Sequence, residues 1–126
     1  MRRLLASIFV LVSGAAGVVA GAPTASAACS YSWSNPSNWT AVTVGDDVNY
    51  RSGPWRSCSS NGTWNSGSDV YLHCYRVGEK ITAHGVTSPL WWHVRKAGTQ
   101  QQGYISESFL RSNGWILPHP PASHQC

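Results

Sequence analysis

Val70-Tyr71-Leu72-His73-Cys74-Tyr75 decides the fold class, because its side chains alternate in character without a break. Successive side chains of a strand point to opposite faces, so Val70, Leu72 and Cys74 are expected inward and Tyr71, His73 and Tyr75 outward. Leu90 to Arg95 repeats the pattern, with Leu90, Trp92 and Val94 inward and Trp91, His93 and Arg95 outward. Val48-Asn49-Tyr50 alternates over a shorter span and runs into the turn residues Arg51-Ser52-Gly53-Pro54. Thr40 to Val44 carries β-formers before the turn signal Gly45-Asp46-Asp47, and Gly103 to Ser106 is a short strand with Ile105 inward. Between these, Val77 to Ser88 reads as a loop, Ala97 to Gln102 as a polar hairpin turn, and Ser106 to Leu110 as one helical turn. Several short strands at close spacing, without a long amphipathic helix, predict an all-β fold, a small barrel.

The ends read differently. Arg2 and Arg3, an apolar run from Leu4 to about Ala20, and Ala25-Ser26-Ala27 make residues 1–27 a secretory signal peptide. Removing 27 of the 126 residues leaves 99, enough for one compact domain. Residues 28–44 are then an N-terminal arm held by Trp33 and Trp39, residues 45–111 the barrel domain, and residues 112–126 a Pro-rich C-terminal tail with Pro118, Pro120 and Pro121. With Arg2 and Arg3 gone, seven cationic side chains face five carboxylates, a net charge of +2 that does not suit a nucleic-acid protein. No other apolar run approaches the ~20 residues of a membrane span, so no membrane insertion is expected after signal cleavage. The expected product is secreted, extracellular and monomeric.

All four cysteines lie beyond the signal, an even number in a small exported chain, and read as two disulfides. Of three connectivities we favour Cys58–Cys74, closing a short loop, with Cys29–Cys126 tying the ends together. Cys29 lies just after the signal, but Ser26-Ala27-Ala28-Cys29 lacks the Leu of a lipid-attachment site.

At Val48-Asn49-Tyr50-Arg51-Ser52-Gly53-Pro54 the chain resembles the bacterial SH3 (SH3b) family, whose opening strand and turn usually read Leu-Asn-Val-Arg-Ser-Gly-Pro. Gly67-Ser68-Asp69-Val70, Trp92-His93-Val94-Arg95, Gly103-Tyr104-Ile105-Ser106 and Phe109-Leu110 continue the resemblance in order, over 63 residues from Val48 to Leu110. Tyr50 is bulkier than the family's usual Val, and Trp55-Arg56-Ser57-Cys58 replaces a small polar run. The resemblance implies an SH3-like half-open barrel that binds cell-envelope peptides, with peptidoglycan as the first expectation. The alternative is a secreted protein-binding or inhibitory module acting on another exported protein.

The expected ligand-binding set is the outward aromatics Trp55, Tyr71, Tyr75, Trp91 and Tyr104 with Arg51 and Arg95. Aromatic faces offer rigid apolar area and Tyr hydroxyls offer hydrogen bonds, which suits short peptides. The bland reading is that several of these rings pack under the arm or the tail. For the tail we expect partial cover of the Trp91/Tyr104 surface, with Pro118 against a ring, or simple closure of the barrel's end.

No cofactor or metal is expected. His73, His84 and His93 with Cys58 and Cys74 lack the spacing of a zinc site. No nucleophile motif surrounds Ser52 or Ser57, and five carboxylates supply a glycosidase pair poorly, so catalytic activity is not expected.

Overall fold

The computed structural model describes residues 29–126. The signal segment read at residues 1–27 lies outside the described residues. Eight strands run in chain order: β1 (Thr40–Thr43), β2 (Val48–Arg51), β3 (Ser60–Trp64), β4 (Asp69–Ala83), β5 (Val86–Lys96), β6 (Gln102–Ser106), β7 (Leu110–Ser112) and β8 (Trp115–Ile116). They form one open antiparallel sheet in the order β3-β2-β6-β5-β4-β1-β7-β8. Short 3-10 turns at Glu107–Phe109 and Ala122–His124 are the helical elements among the described residues. The all-β expectation therefore holds, as does the single turn after Ser106.

Val77 to Ser88 is not a loop. β4 and β5 run on as a long hairpin, with Ala83 opposite Val86 across the two-residue turn His84-Gly85. Both turn residues have positive φ, 50° and 76°, which matches the twist of the flanking strands. Ser60–Trp64, thin in apolar side chains, is a strand as well: Trp64 stacks on Tyr50 at 4.1 Å, and its indole N–H donates to Gln101 at 2.9 Å. Gly62 leaves room for that stack, since a Cβ there would run into the Tyr50 ring. The bulky Tyr50 is thus matched by its neighbours.

The main core gathers Val48, Tyr50, Val70, Leu72, Trp92, Val94 and Ile105, the inward set of the alternation, together with Trp64, Leu110 and Leu117. Burying a large apolar side chain stabilises by about 1.5–3 kcal/mol. The Trp92 indole N–H, wholly inside, donates to the buried Glu107 carboxylate at 3.3 Å, and the Ser88 hydroxyl donates to the same group at 2.9 Å.

The β4–β5 pairing shifts register twice, and the first shift breaks the expected alternation. The β4–β5 register slips between Leu72 and Cys74, a bulge that leaves His73 without a partner opposite and inverts the facing of the residues beyond it. Tyr75, expected outward, enters the core 5.5 Å from Trp92. Cys74, expected inward, lies opposite His93 on the other face, beside the arm.

The disulfides are Cys29–Cys58 and Cys74–Cys126. Both of the favoured pairings, Cys58–Cys74 and Cys29–Cys126, are therefore wrong, although all four cysteines are paired. The bulge supplies the reason: it turns Cys74 to the face that Cys126 reaches. Cys126 donates its backbone N–H to Tyr75 O at 3.0 Å. Two disulfides fit an oxidising, extracellular environment. Cys29 is bonded to Cys58, so its sulfur is not a lipid attachment point.

Candidate functional site

The outer face of β4, β5 and β6 carries most of the expected binding set, and register aligns it. Tyr71 lies opposite Arg95, Cys74 opposite His93, Arg76 opposite Trp91, and His93 opposite Tyr104. Only part of this face meets solvent. Tyr71 is exposed and lies under the Arg95 guanidinium at 4.9 Å. Tyr104 is 1% exposed and Trp91 3%. These two pack with Ile81 in a second apolar cluster on this side of the sheet. The Trp91 indole N–H donates to Glu79 O at 2.8 Å, and Gly78 lets the Pro54 turn lie against the ring. Both rings are buried: Tyr104 lies under the arm, as the bland reading has it, whereas Trp91 is packed beside the Pro54 turn and Ile81.

The cover over Tyr104 comes from the N-terminal arm. Trp33 stacks on His73 and His93 with ring centres 4.6 and 4.2 Å away. Those two imidazoles meet Nδ1 to Nδ1 at 2.9 Å, and the Tyr104 ring stands edge-on to His93. Burial, and then the neighbouring His73, pushes His93 down to about 3; burial, and then Arg95, lowers His73. Burial also raises the Tyr104 phenol, against the opposing pull of Arg76.

The tail does something else. Leu117 and Pro120 are buried, Leu117 in the main core. His124 stands edge-on to Trp39 at 5.1 Å, and Gln125 bridges in parallel to Tyr75. Only Cys126 packs against the Trp91/Tyr104 cluster, while Pro118 is exposed beside Trp39. The tail closes the core's end, and the expected screen over Trp91 and Tyr104 is corrected accordingly.

A groove remains open beside this face. It has a volume of about 220 Å³, and Asp46, Asp47, Arg51, Arg56, Trp91 and Phe109 are among its lining residues. The carboxylates come from the β1–β2 turn, the Arg56 guanidinium from the β2–β3 connection, and the rings from β5 and the 3-10 turn after β6. Arg56 forms an ion pair with Glu79 at 2.7 Å, which holds that carboxyl below its usual range. Arg51 donates to Cys58 O at 3.0 Å, which fixes the guanidinium. A wider groove of about 410 Å³ holds Tyr71 as its one aromatic ring, beside Asp69 and Arg111.

The seven expected residues thus fall into separate places. Arg51 and Trp91 share the smaller groove, the exposed Tyr71 pairs with the half-buried Arg95, Tyr104 lies under the arm and Tyr75 is in the core. Trp55 is half-buried at the turn after Pro54, its indole N–H without a hydrogen-bond partner among the described residues. Asp46, Asp47, Arg56 and Phe109 escaped the expected set because nothing local marks a turn residue as a groove wall. The zinc alternative needed Cys58 and Cys74, and each is taken by a disulfide.

Similarity to known proteins is narrow. The chain is similar to the uncharacterized protein YraI of Bacillus subtilis (strain 168). Identity is 29% over 83 residues, covering 62% of this chain and 70% of the relative. No family model matches the chain, and no solved structure matches it.

Proposed function

We propose that this is a secreted SH3-like barrel of the SH3b kind, lacking catalytic activity, that binds a cell-envelope peptide, most simply a peptidoglycan stem peptide. The observation that carries the reading is the groove, which brings two carboxylates, two guanidiniums and two aromatic rings to one opening. A stem peptide offers a free amine and a free carboxylate on a short backbone. Asp46 and Asp47 suit the amine, Arg56 and Arg51 suit the carboxylate, and the half-buried Phe109 gives the stem apolar contact. The Val48–Pro54 motif supports the family reading, since Val48, Asn49 and Arg51 of its strand supply one side of the groove.

Co-sedimentation of the mature protein with purified sacculi tests this. The expected result is retention in the pellet, weakened at least tenfold in the double variant Asp46→Asn/Arg56→Gln. Both side chains are exposed, so the variant should keep its fold. Failure to pellet, or pelleting that ignores the double variant, would overturn the reading. The exposed Trp115 and Ile116 on β8 favour a second reading, a module for another exported protein. Its mark would be retention in solution with tight capture of one exported protein, lost in Trp115→Ser.

A further inference from the structure

The arm from Cys29 to Ser37 is held to the outer face in a way that resembles a bound peptide more than a packed element. Ser30 to Pro36 are all exposed and belong to no strand. Trp33 is 43% exposed, yet it covers two imidazoles that are each only 4% exposed. Its ring lies within 13° of His73 and 9° of His93, so it rests on them by its face. The imidazoles form a flat floor for it, joined edge to edge by their 2.9 Å contact, with one nitrogen donating and the other accepting.

One residue earlier, the Ser32 carbonyl accepts from Arg76 Nη2 at 2.6 Å and from the Tyr104 hydroxyl at 3.3 Å. One residue earlier still, the Tyr31 ring lies under the Arg76 guanidinium at 4.7 Å. Floor, double donor and cation therefore read ring, carbonyl and ring along three successive residues. Every one of these contacts is generic to an aromatic–x–aromatic peptide, since the middle residue is recognised through its backbone only. We propose that the His73/His93/Tyr104/Arg76 face is a binding site for short aromatic peptides, with Tyr31-Ser32-Trp33 as its resident occupant.

The arm's anchors make the occupant exchangeable. Cys29 is bonded to Cys58, and Ser37 N–H donates to His73 O at 3.0 Å. Between them a further tie to this face, besides the Tyr31–Trp33 contacts, is the Ser34 N–H against Cys74 Sγ at 3.4 Å, and Ser30 has a partner as well. Trp33 can therefore lift from the floor with both anchors intact. Tethering at both ends gives the resident segment an effective concentration of order millimolar, so a free peptide competes poorly until the resident ring is removed. This site is separate from the groove, and the groove variants leave it untouched.

The test uses the mature chain with both disulfides formed and the capped peptide Tyr-Ser-Trp-Ser as probe. Trp33→Ala should bind the probe at least tenfold more tightly than the wild type, with ring-current shifts at the His73 and His93 protons in nuclear magnetic resonance. Adding His93→Ala to Trp33→Ala should abolish that gain, and a Gly-Ser-Gly-Ser probe should not bind. Trp33→Leu serves the same comparison if Trp33→Ala fails to fold, because it keeps an apolar cover that cannot stack. Folded Trp33 variants that bind the probe no better than wild type, or a gain that survives His93→Ala, would overturn the proposal.

Discussion

Acid should unfold this protein early, and His93 is the reason. Its imidazole is pushed from the ordinary 6.5 down to about 3, first by burial and then by the adjacent His73. In the unfolded chain the same group titrates near 6.5. Between these values the unfolded state holds one more proton than the folded state, so stability rises with pH across that window. The contribution is complete above about 6.5 and disappears as pH falls toward 3. One pH unit in the window is worth about 1.4 kcal/mol, so moving from pH 7 to pH 4 should cost about 3 kcal/mol. His73, lowered for the same first cause, acts in the same direction. The geometry agrees with the sign. One charge on the pair keeps a donor facing an acceptor, whereas two charges set N–H against N–H across 2.9 Å.

Urea unfolding followed by tryptophan fluorescence at several pH values from 7 to 4 measures this. With a slope of about 1–3 kcal/mol per molar urea, a loss of about 3 kcal/mol moves the midpoint by roughly 1–3 M. His93→Gln should start less stable at pH 7 and lose about 3 kcal/mol less on the way to pH 4. Glu79, also depressed, adds acid sensitivity of the same sign but is present in both proteins and cancels in the comparison. Parallel pH profiles for wild type and His93→Gln, or a flat wild-type profile, would refute the reasoning.

Two further outcomes are expected. Replacing Cys29 and Cys58 together by Ser should cost about 3–4 kcal/mol for a 29-residue separation. A non-reducing peptide map should link the peptides of Cys29 and Cys58; a Cys58–Cys74 linkage would refute the observed pairing. Gly78→Ala should destabilise by about 1–3 kcal/mol in thermal or urea melts, because its Cβ would meet the Pro54 carbonyl oxygen and crowd Trp91.

Strand faces were legible in the sequence wherever regular pairing ran on. Leu90, Trp92 and Val94 went inward as their alternation demands, as did Val70 and Leu72. The reading failed past Leu72, since a bulge depends on how two strands settle against each other and leaves no local trace. That one slip misplaced Tyr75 and Cys74, and through Cys74 it misdirected the disulfide pairing. The β4–β5 hairpin was hidden for another reason: His84-Gly85 supplies the needed positive φ without the familiar Asn-Gly signature. Of the candidate site, Tyr71, Trp91 and Tyr104 lay on the outer face, whereas Tyr75 entered the core and Trp55 sat at the turn after Pro54. Their accessibility was illegible, because Trp33 reaches His73 and His93 from 40 and 60 residues away in the chain.

The disulfide pairing also bears on how the chain matures. Cys29 bonds the next cysteine along, Cys58, and Cys74 bonds the next after that, Cys126. A chain that meets an oxidant from its N-terminus onward can make the first bond before the second pair arrives. Partners met in order of appearance reach the native pairing with no obligatory exchange of bonds, so this connectivity does not require thiol–disulfide isomerisation. A nested pairing would have left Cys29 waiting for Cys126. Here only Cys74 waits, with the β4 bulge holding its sulfur on the face where Cys126 arrives.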